Sequence, residues 1–502
     1  MIRITKHMCA IALVALIGCG EKEIPTPATN PLDDLIVKNE VLVSSFIGNG
    51  FQWGGYDILE SWTGSSTLSE SDWTKLLNRV EYMRPSLVRI MVGAGWNYLK
   101  DGEFYPQKSE AVLTRILDFC EAEGIAVKFG EWGHSGGTSI DQEWLEHSAS
   151  FLEWLINTKN YTCIKYYCMV NEPNGSWSTI NGNYNLWRQL IEQFHAKLVE
   201  KGIDGKVQII GPDIAVWDTH LTWWVTNTYE HLGDKMGAYV IHTYPSEVEV
   251  RDGNYLNMLR AYRQSAPAAY PLIMGEVGFK YPASSELGIE NARRIDNDPF
   301  ASDDSNMFIY DAFYGIDMAD AMIQSMLARY SGVIVWNLDD AMYNIDGGSS
   351  TLLKRWGFWN ILGSEKFSNP DDENIRPWFY PLSLMMRYFP AGASILDMSI
   401  PSKKGLRAIA CTKNGHYTIA IVNSHRVKYS LNLKMEDGQT ITGAKSYKYI
   451  AGDGSSFEGN LCPDGFPEPF ESNKTIDLAD GKHLKIDLPG QSFVLLTNIP
   501  IP

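Results

Sequence analysis

Residues 164–201 read IKYYCMVNEPNGSWSTINGNYNLWRQLIEQFHAKLVEK. A short apolar run leads into a polar Asn-Glu-Pro and a Gly/Asn/Ser loop; from Tyr184 onward, apolar residues recur at helical spacing. This is one strand–loop–helix unit, and the order repeats along the chain. Short β-like runs fall at 46–50, 86–92, 125–130, 164–171, 207–211, 238–243, 271–276 and 332–337. Helix-like stretches lie between them at 69–83, 109–123, 142–157, 184–201, 221–232, 254–265 and 307–330. The first opens on Ser69 with Asp72 three residues later, the spacing of a capping box. Strict alternation predicts a parallel sheet with helical crossovers, hence the α/β class. Eight repeats predict a closed (β/α)8 TIM barrel. The alternative, an open doubly wound sheet, lacks its phosphate turn: Gly48-Asn49-Gly50 is followed by Gly54, one residue too late for G-x-G-x-x-G.

In such a barrel the C-terminal strand ends gather at one mouth. They read Asn49 and Trp53, then Arg89 and Trp96, then Glu131-Trp132 with His134, then Asn171-Glu172-Pro173. The later ones read Pro212-Asp213, His242-x-Tyr244, Glu276, and Trp336-Asn337 with Asp339-Asp340. A purely structural barrel has little reason to end apolar strands in carboxylates, amides, a histidine and indoles. The fourth and seventh strands face each other across the mouth, so Glu172 and Glu276 converge. Cleaving a glycosidic bond with retention needs two carboxyl groups about 5–5.5 Å apart. Such closeness raises one pKa, and the protonated group can serve the leaving oxygen. On the residues alone, either glutamate fits either role.

Asn-Glu-Pro, His-x-Tyr, Glu and Trp on strands four, six, seven and eight resemble, in that order, the clan A (4/7 superfamily) retaining glycoside hydrolases. The resemblance spans about residues 44–345, and families 5, 30 and 39 are nearest in pattern. It implies that Glu172 is the acid/base and Glu276 the nucleophile. It implies further that Asn171 meets the sugar 2-hydroxyl, Tyr244 orients the nucleophile, His242 lines the site and Trp336 lies under the reacting sugar. Arg89 is expected to pair with Glu276, a task suited to a fixed fork of donors. Family 5 members carry a histidine just after strand three; here Glu131 and Trp132 come first, so the resemblance is to the clan rather than that family. Trp132, Trp96 and Trp177 are expected as sugar platforms, while Trp53, Trp62 and Trp217 divide between packing and platforms. Asp339 and Asp340 are expected in loop solvation or a subsite. The implied activity is a retaining β-glycoside hydrolase needing no cofactor, endo-acting on a neutral β-glucan-like chain. The competing class is a non-catalytic glycan-binding surface lipoprotein on the same barrel.

Composition agrees with a neutral, hydroxyl-rich ligand. The 502 residues include 16 Trp, 25 Tyr and 19 Phe, and the net charge is −17. Such a surface repels phosphate backbones and anionic lipids, which argues against a nucleic-acid partner. Residues 1–18 carry Arg3 and Lys6 and then an apolar stretch too short to span a bilayer. They end in Leu16-Ile17-Gly18-Cys19, which resembles a bacterial lipoprotein signal and implies lipidation of Cys19. Residues 19–39 are expected to be a tether, and its Gly20-Glu21-Lys22-Glu23 resembles the export signal of Bacteroidetes surface lipoproteins. This implies an outer-membrane, surface-exposed location beside glycan-uptake machinery.

Cys120, Cys163, Cys168, Cys411 and Cys462 remain, with no CxxC, H-x-H or H-E-x-x-H, so no metal site is expected. Cys411 with Cys462 is one conceivable pair, but an odd total favours buried free thiols. The single G-x-S-x-G, Gly133 to Gly137, lies several residues past its strand, and helical spacing resumes only near Gln142, so it is no nucleophile elbow. Two domains are expected, a barrel over 40–375 and a β-sandwich over 376–502. The second contains the runs RAIACT, HYTIAIVNS, YSLNLKM, KTIDLA, HLKIDL and SFVLLT between turns, and resembles the accessory β-domain of family 30. Residues 283–305 are expected as a long polar loop walling the cleft.

Overall fold

Eight parallel strands pair in chain order and close on themselves: Gly48–Gln52, Leu87–Val92, Ala126–Glu131, Ile164–Cys168, Gln208–Val216, Met236–Thr243, Leu272–Val277 and Gly332–Val335. The computed structural model describes residues 32–56, 65, 67–132, 138–343 and 351–501. The leader, Cys19, the first part of the tether, Trp62, His134 and the Gly133–Gly137 motif lie outside them. Leu87, Cys168, Ile210, Ala238, Val240, Ile273 and Ile334 pack as a separate apolar cluster inside the barrel, so it is filled rather than a pore. The crossover helices follow the expected positions. Glu70–Met83 begins at Ser69, whose hydroxyl accepts from Asp72 N–H while the Asp72 carboxylate accepts from Ser69 N–H, and it buries Trp73, Leu76, Val80 and Met83. The register slips between Pro212 and Ile214 and between Met274 and Glu276. Bulges of this kind re-aim side chains next to functional sites, and these two fall at Asp213 and just before Glu276.

After the eighth strand the chain folds the helix Phe379–Tyr388 back against the barrel and builds one ten-stranded, mainly antiparallel sheet curled into a β-sandwich. Its middle strands are buried on both faces, which explains their nearly unbroken apolar runs. Ala408, Ala410, Ile419, Ile421, Val494 and Leu496 fill the sandwich. The alternate residues Ile409, Cys411, Ala420, Val422, Phe493 and Leu495 join the barrel core. The helix Ala312–Leu327 lies between barrel and sheet and is buried almost all round. Its buried acids are satisfied: Asp317 receives both arms of Arg251, and Asp320 accepts from Ser424 and Gln324.

Two boundaries differ from expectation. The tether does not run to 39: Asp33–Val43 is a strand of the C-terminal sheet, antiparallel to Ser394–Ser399 and parallel to Tyr429–Met435. Its Leu35 and Val37 point into the sandwich; a polar-looking segment thus earns its place by two inward residues. The 283–305 stretch is not a bare loop either. Ser285 caps the helix Glu286–Asn297, and Glu290 pairs with Arg293 and Arg294, so local capping and i,i+3/i+4 pairs replace apolar packing. The five cysteines among the described residues are free thiols, four buried and Cys462 half-buried. No helix among the described residues is long and apolar enough to cross a membrane.

Candidate active site

The mouth of the barrel holds a cleft of about 480 Å3, lined among others by Asn171, Glu172, Tyr244, Glu276, Trp132 and Trp336. Glu172 follows the fourth strand in a left-handed conformation, φ +47°, and Asp213 on the fifth has φ +59°. Their backbones are joined, Glu172 N–H donating to Asp213 C=O at 3.1 Å. Non-glycine residues avoid this region at a cost of about 1–3 kcal/mol, so the surrounding structure enforces a turn that carries Glu172 towards Glu276. Glu276 sits one residue after Gly275, where a Cβ would lie 2.5 Å from Val240 and 2.8 Å from the His242 ring. Only glycine lets the seventh strand approach the sixth this closely. One carboxylate oxygen of Glu172, one of Glu276 and a nitrogen of His242 all lie within 4.8 Å of one another.

Beneath the two glutamates is a fully buried ionic layer. Arg89 donates through Nη1 to Glu276 Oε1, and through Nη2 to Asn171 Oδ1 at 2.5 Å and Asp213 Oδ2 at 3.4 Å. Lys128 Nζ donates to Asp213 Oδ1 at 2.5 Å. His242 bridges the layers, its Nδ1 3.0 Å from Glu172 Oε1 and its Nε2 2.9 Å from Asp213 Oδ1. With a carboxyl oxygen beside each ring nitrogen, the doubly protonated, charged imidazole is favoured. Burial opposes that charge, but Asp213 and Glu276 outweigh it and push the His242 pKa up to about 9. Burial would likewise raise Glu276; the His242 and Arg89 cations and the Tyr244 hydroxyl, which donates to Oε2, hold it below its ordinary 4.5. Asp213 is also drawn well below its ordinary value, the His242, Lys128 and Arg89 cations prevailing over burial. With a proton on each ring nitrogen, His242 has no lone pair for a metal ion.

The expected site residues therefore divide. Glu172, Glu276, Asn171, Tyr244, Trp336, Trp132 and Trp177 line the cleft. Arg89 and His242 do not: both are fully buried behind the carboxylates, so Arg89 pairs with Glu276 as expected but neither it nor His242 lines the cleft as a substrate-binding residue. Trp96 is not among the described lining residues and backs Trp132 edge-on at 6.1 Å. Trp53 is core, while Trp217 lines the cleft. Asp339 and Asp340 are neither solvated nor in a subsite. Asp339 accepts from Tyr56, Trp359 and two backbone N–H groups; Asp340 accepts from Arg376, Arg355 and the backbone of Trp356 and Gly357. Both pin the loop after strand eight, where their polarity had suggested exposure.

Sequence reading missed Lys128, a role for Asp213, and the far wall of Trp356, Lys280, Asp304 and Lys354. A lysine set between Val127 and Phe129 in the barrel strand Ala126–Glu131 was the available signal for the first.

No protein-family model matches the sequence, and no curated protein does. Solved structures do match in fold. A GH30 endoxylanase from Clostridium papyrosolvens C71 superposes with TM-score 0.58 at 15% identity over 93% of this chain and 99% of its own. The endo-β1,6-glucanase BT3312 gives 0.57 at 14% identity over 94% of each chain. An α-L-arabinofuranosidase from Thermotoga maritima gives 0.61 at 14% identity over 92% of this chain and 99% of its own. The likeness covers barrel and β-sandwich together.

Proposed function

We propose that this chain is a clan A retaining glycoside hydrolase in which Glu276 is the nucleophile and Glu172 the acid/base. The carrying observation is the pair of carboxylate oxygens within 4.8 Å. That suits direct attack by one glutamate and leaves no room for the intervening water of an inverting enzyme, whose carboxyls stand about 6.5–9.5 Å apart. Glu276, kept ionised by Arg89, His242 and Tyr244, attacks the anomeric carbon while Glu172 gives its proton to the glycosidic oxygen. A glycosyl ester forms on Glu276 and the leaving alcohol departs. Glu172, now a carboxylate, takes a proton from water; the water oxygen bonds to the anomeric carbon and the ester bond breaks, restoring both groups. Asn171, held by Arg89, offers its amide to the sugar 2-hydroxyl, and Trp336 supplies an apolar face.

The substrate class we infer is a neutral β-linked chain cut internally. Names of proteins sharing the fold span endoxylanase, endo-β1,6-glucanase and arabinofuranosidase, so fold does not choose the linkage. The Leu16–Cys19 motif supports a lipid anchor at the cell surface, where such an enzyme would feed glycan uptake. The test is digestion of a panel of β-glucans, mannans, xylans and galactans by the wild type and Glu276→Gln. Cleavage by the first and none by the folded second is expected; equal cleavage by both overturns the assignment. Binding with no cleavage by the wild type would favour the glycan-binding lipoprotein instead.

A further inference from the structure

The wall beside Glu172 carries two exposed tryptophans with rigid mounts. Trp177 is 58% exposed and Trp217 51%, and their rings meet edge-to-face at 6.0 Å. Large exposed indoles on a protein surface mark contact with another molecule more often than chance. The loops carrying them are not loose. Asn174, between Glu172 and Trp177, donates to Ala215 C=O at 2.8 Å and accepts from Ala215 N–H at 3.0 Å, which ties the fourth-strand loop to the fifth strand. Beyond Trp217, Tyr262 donates to the Asp218 carbonyl at 2.7 Å. The Trp177 indole N–H reaches Glu172 Oε2 at 2.8 Å. Two exposed side chains have therefore been fixed beside the proposed acid without being buried, an arrangement that prepays the ordering cost of binding.

A second groove of about 360 Å3 starts on the other side of Trp217. Trp217 and Tyr244 line both spaces, so the groove continues the cleft. Its floor is apolar, with Pro245, Tyr255 and Met258; its rim carries Asn254 and Asn257, exposed on one face of the helix Asn254–Ser265, together with the exposed acids Asp218 and Glu249. An apolar floor with amides and carboxyl groups at the edge, all able to hydrogen-bond hydroxyls, matches a sugar ring, C–H groups on its faces and hydroxyls around its rim. Volumes of this order suit small ligands.

We propose that Trp177 and Trp217 form a bent platform for the sugar on the leaving-group side of the scissile bond. From there the glycan chain crosses Trp217 into the groove, where Asn254 and Asn257 meet its hydroxyls. The direction follows from the chemistry. The acid must reach the glycosidic oxygen, so the surface flanking Glu172 away from Glu276 faces the departing sugar; this step rests on the acid/base reading of Glu172. The required substrate is an uncharged polysaccharide with at least two sugars beyond the cut, not a terminal sugar on a small aglycone.

The test compares the wild type with Trp217→Ala and the double variant Asn254→Ala/Asn257→Ala. Probes are oligosaccharides of increasing length from β-glucan, mannan, xylan and galactan, with aryl monoglycosides of the same sugars. Trp217 is exposed, so its truncation leaves the fold intact; melting temperature checks this. On the chains the wild type cuts, kcat/KM should climb with length, and both variants should lose about tenfold on long chains, the size of one stacking contact at Trp217 or of the amide hydrogen bonds of Asn254 and Asn257. Aryl glycoside rates of Asn254→Ala/Asn257→Ala should stay within about twofold of the wild type, because the aryl group reaches the platform but not the groove. Equal losses of Asn254→Ala/Asn257→Ala on long chains and aryl glycosides, or no loss of either variant on long chains, overturn the proposal, as does failure of the wild-type protein to bind any chain in an equilibrium titration. Binding that weakens in Trp217→Ala without cleavage by the wild type overturns the hydrolase reading while leaving this site standing.

Discussion

Glu276 stays ionised in a buried place because three groups outweigh its burial, and each can be removed singly. His242→Gln takes away the cation that contributes most to this effect. Glu276 then protonates more easily, and the acid limb of kcat/KM should move to higher pH; an unmoved limb would separate His242 from Glu276. Glu172→Gln should lower kcat about 10²–10⁴-fold on sugar leaving groups. The same variant should lose far less on an activated aryl glycoside, which departs without a proton; an equal loss on both would deny Glu172 the acid role. At this scale the chemistry was partly legible in the sequence. Glu172, Glu276, Asn171 and Tyr244 are polar residues standing at the ends of apolar runs, and that contrast is visible without coordinates. Lys128 and Asp213 were not assigned. They lie 85 positions apart, and their meaning is a mutual charge that exists only once the barrel closes. Trp356 escaped for a similar reason, since its segment carries no strand or helix period.

The third barrel strand ends in Glu131, buried with Tyr98 and Tyr167 hydroxyls donating to its two oxygens at 3.2 and 2.9 Å. Burial drives its pKa from an ordinary 4.5 up to about 8. Between those two values the unfolded chain has lost a proton that the folded chain retains, so folding stability falls as pH rises through that window, by up to about 1.4 kcal/mol per unit. Glu131→Gln removes the titrating group. Relative to the wild type, its melting temperature should rise progressively from pH 5 to pH 8; a constant difference across that range would contradict the buried, protonated carboxyl. Elements as such were the most readable level. Eight strands and their helices appeared as alternating periods, and Ser69 and Asp72 announced the first helix through local chemistry alone. The misread cases are elements whose stability is not written in apolar period: Glu286–Asn297, held by a cap and ion pairs, and the buried aspartates after strand eight, whose polarity suggests water while their partners are backbone N–H groups and arginines.

Across the whole molecule, barrel and sandwich share a core. The strand Asp33–Val43 fills the place between Ser394–Ser399 and Tyr429–Met435, so the most N-terminal strand among the described residues completes the most C-terminal sheet. No periodicity within residues 33–43 could reveal a partner some 360 residues away. A chain beginning at residue 44 should therefore melt well below the full chain or aggregate on expression, whereas one beginning at residue 32 should match the full chain in melting temperature. Equal stability of the two truncations would mean that this strand is dispensable. The most direct test of the central claim, double displacement through Glu276 and Glu172, is the configuration of the first product. Proton NMR should follow the wild-type protein on whichever β-linked chain it cuts, before mutarotation mixes the anomers. The account predicts that the new reducing end appears first as the β-anomer; an initial α-anomer would mean single displacement by water and would contradict it.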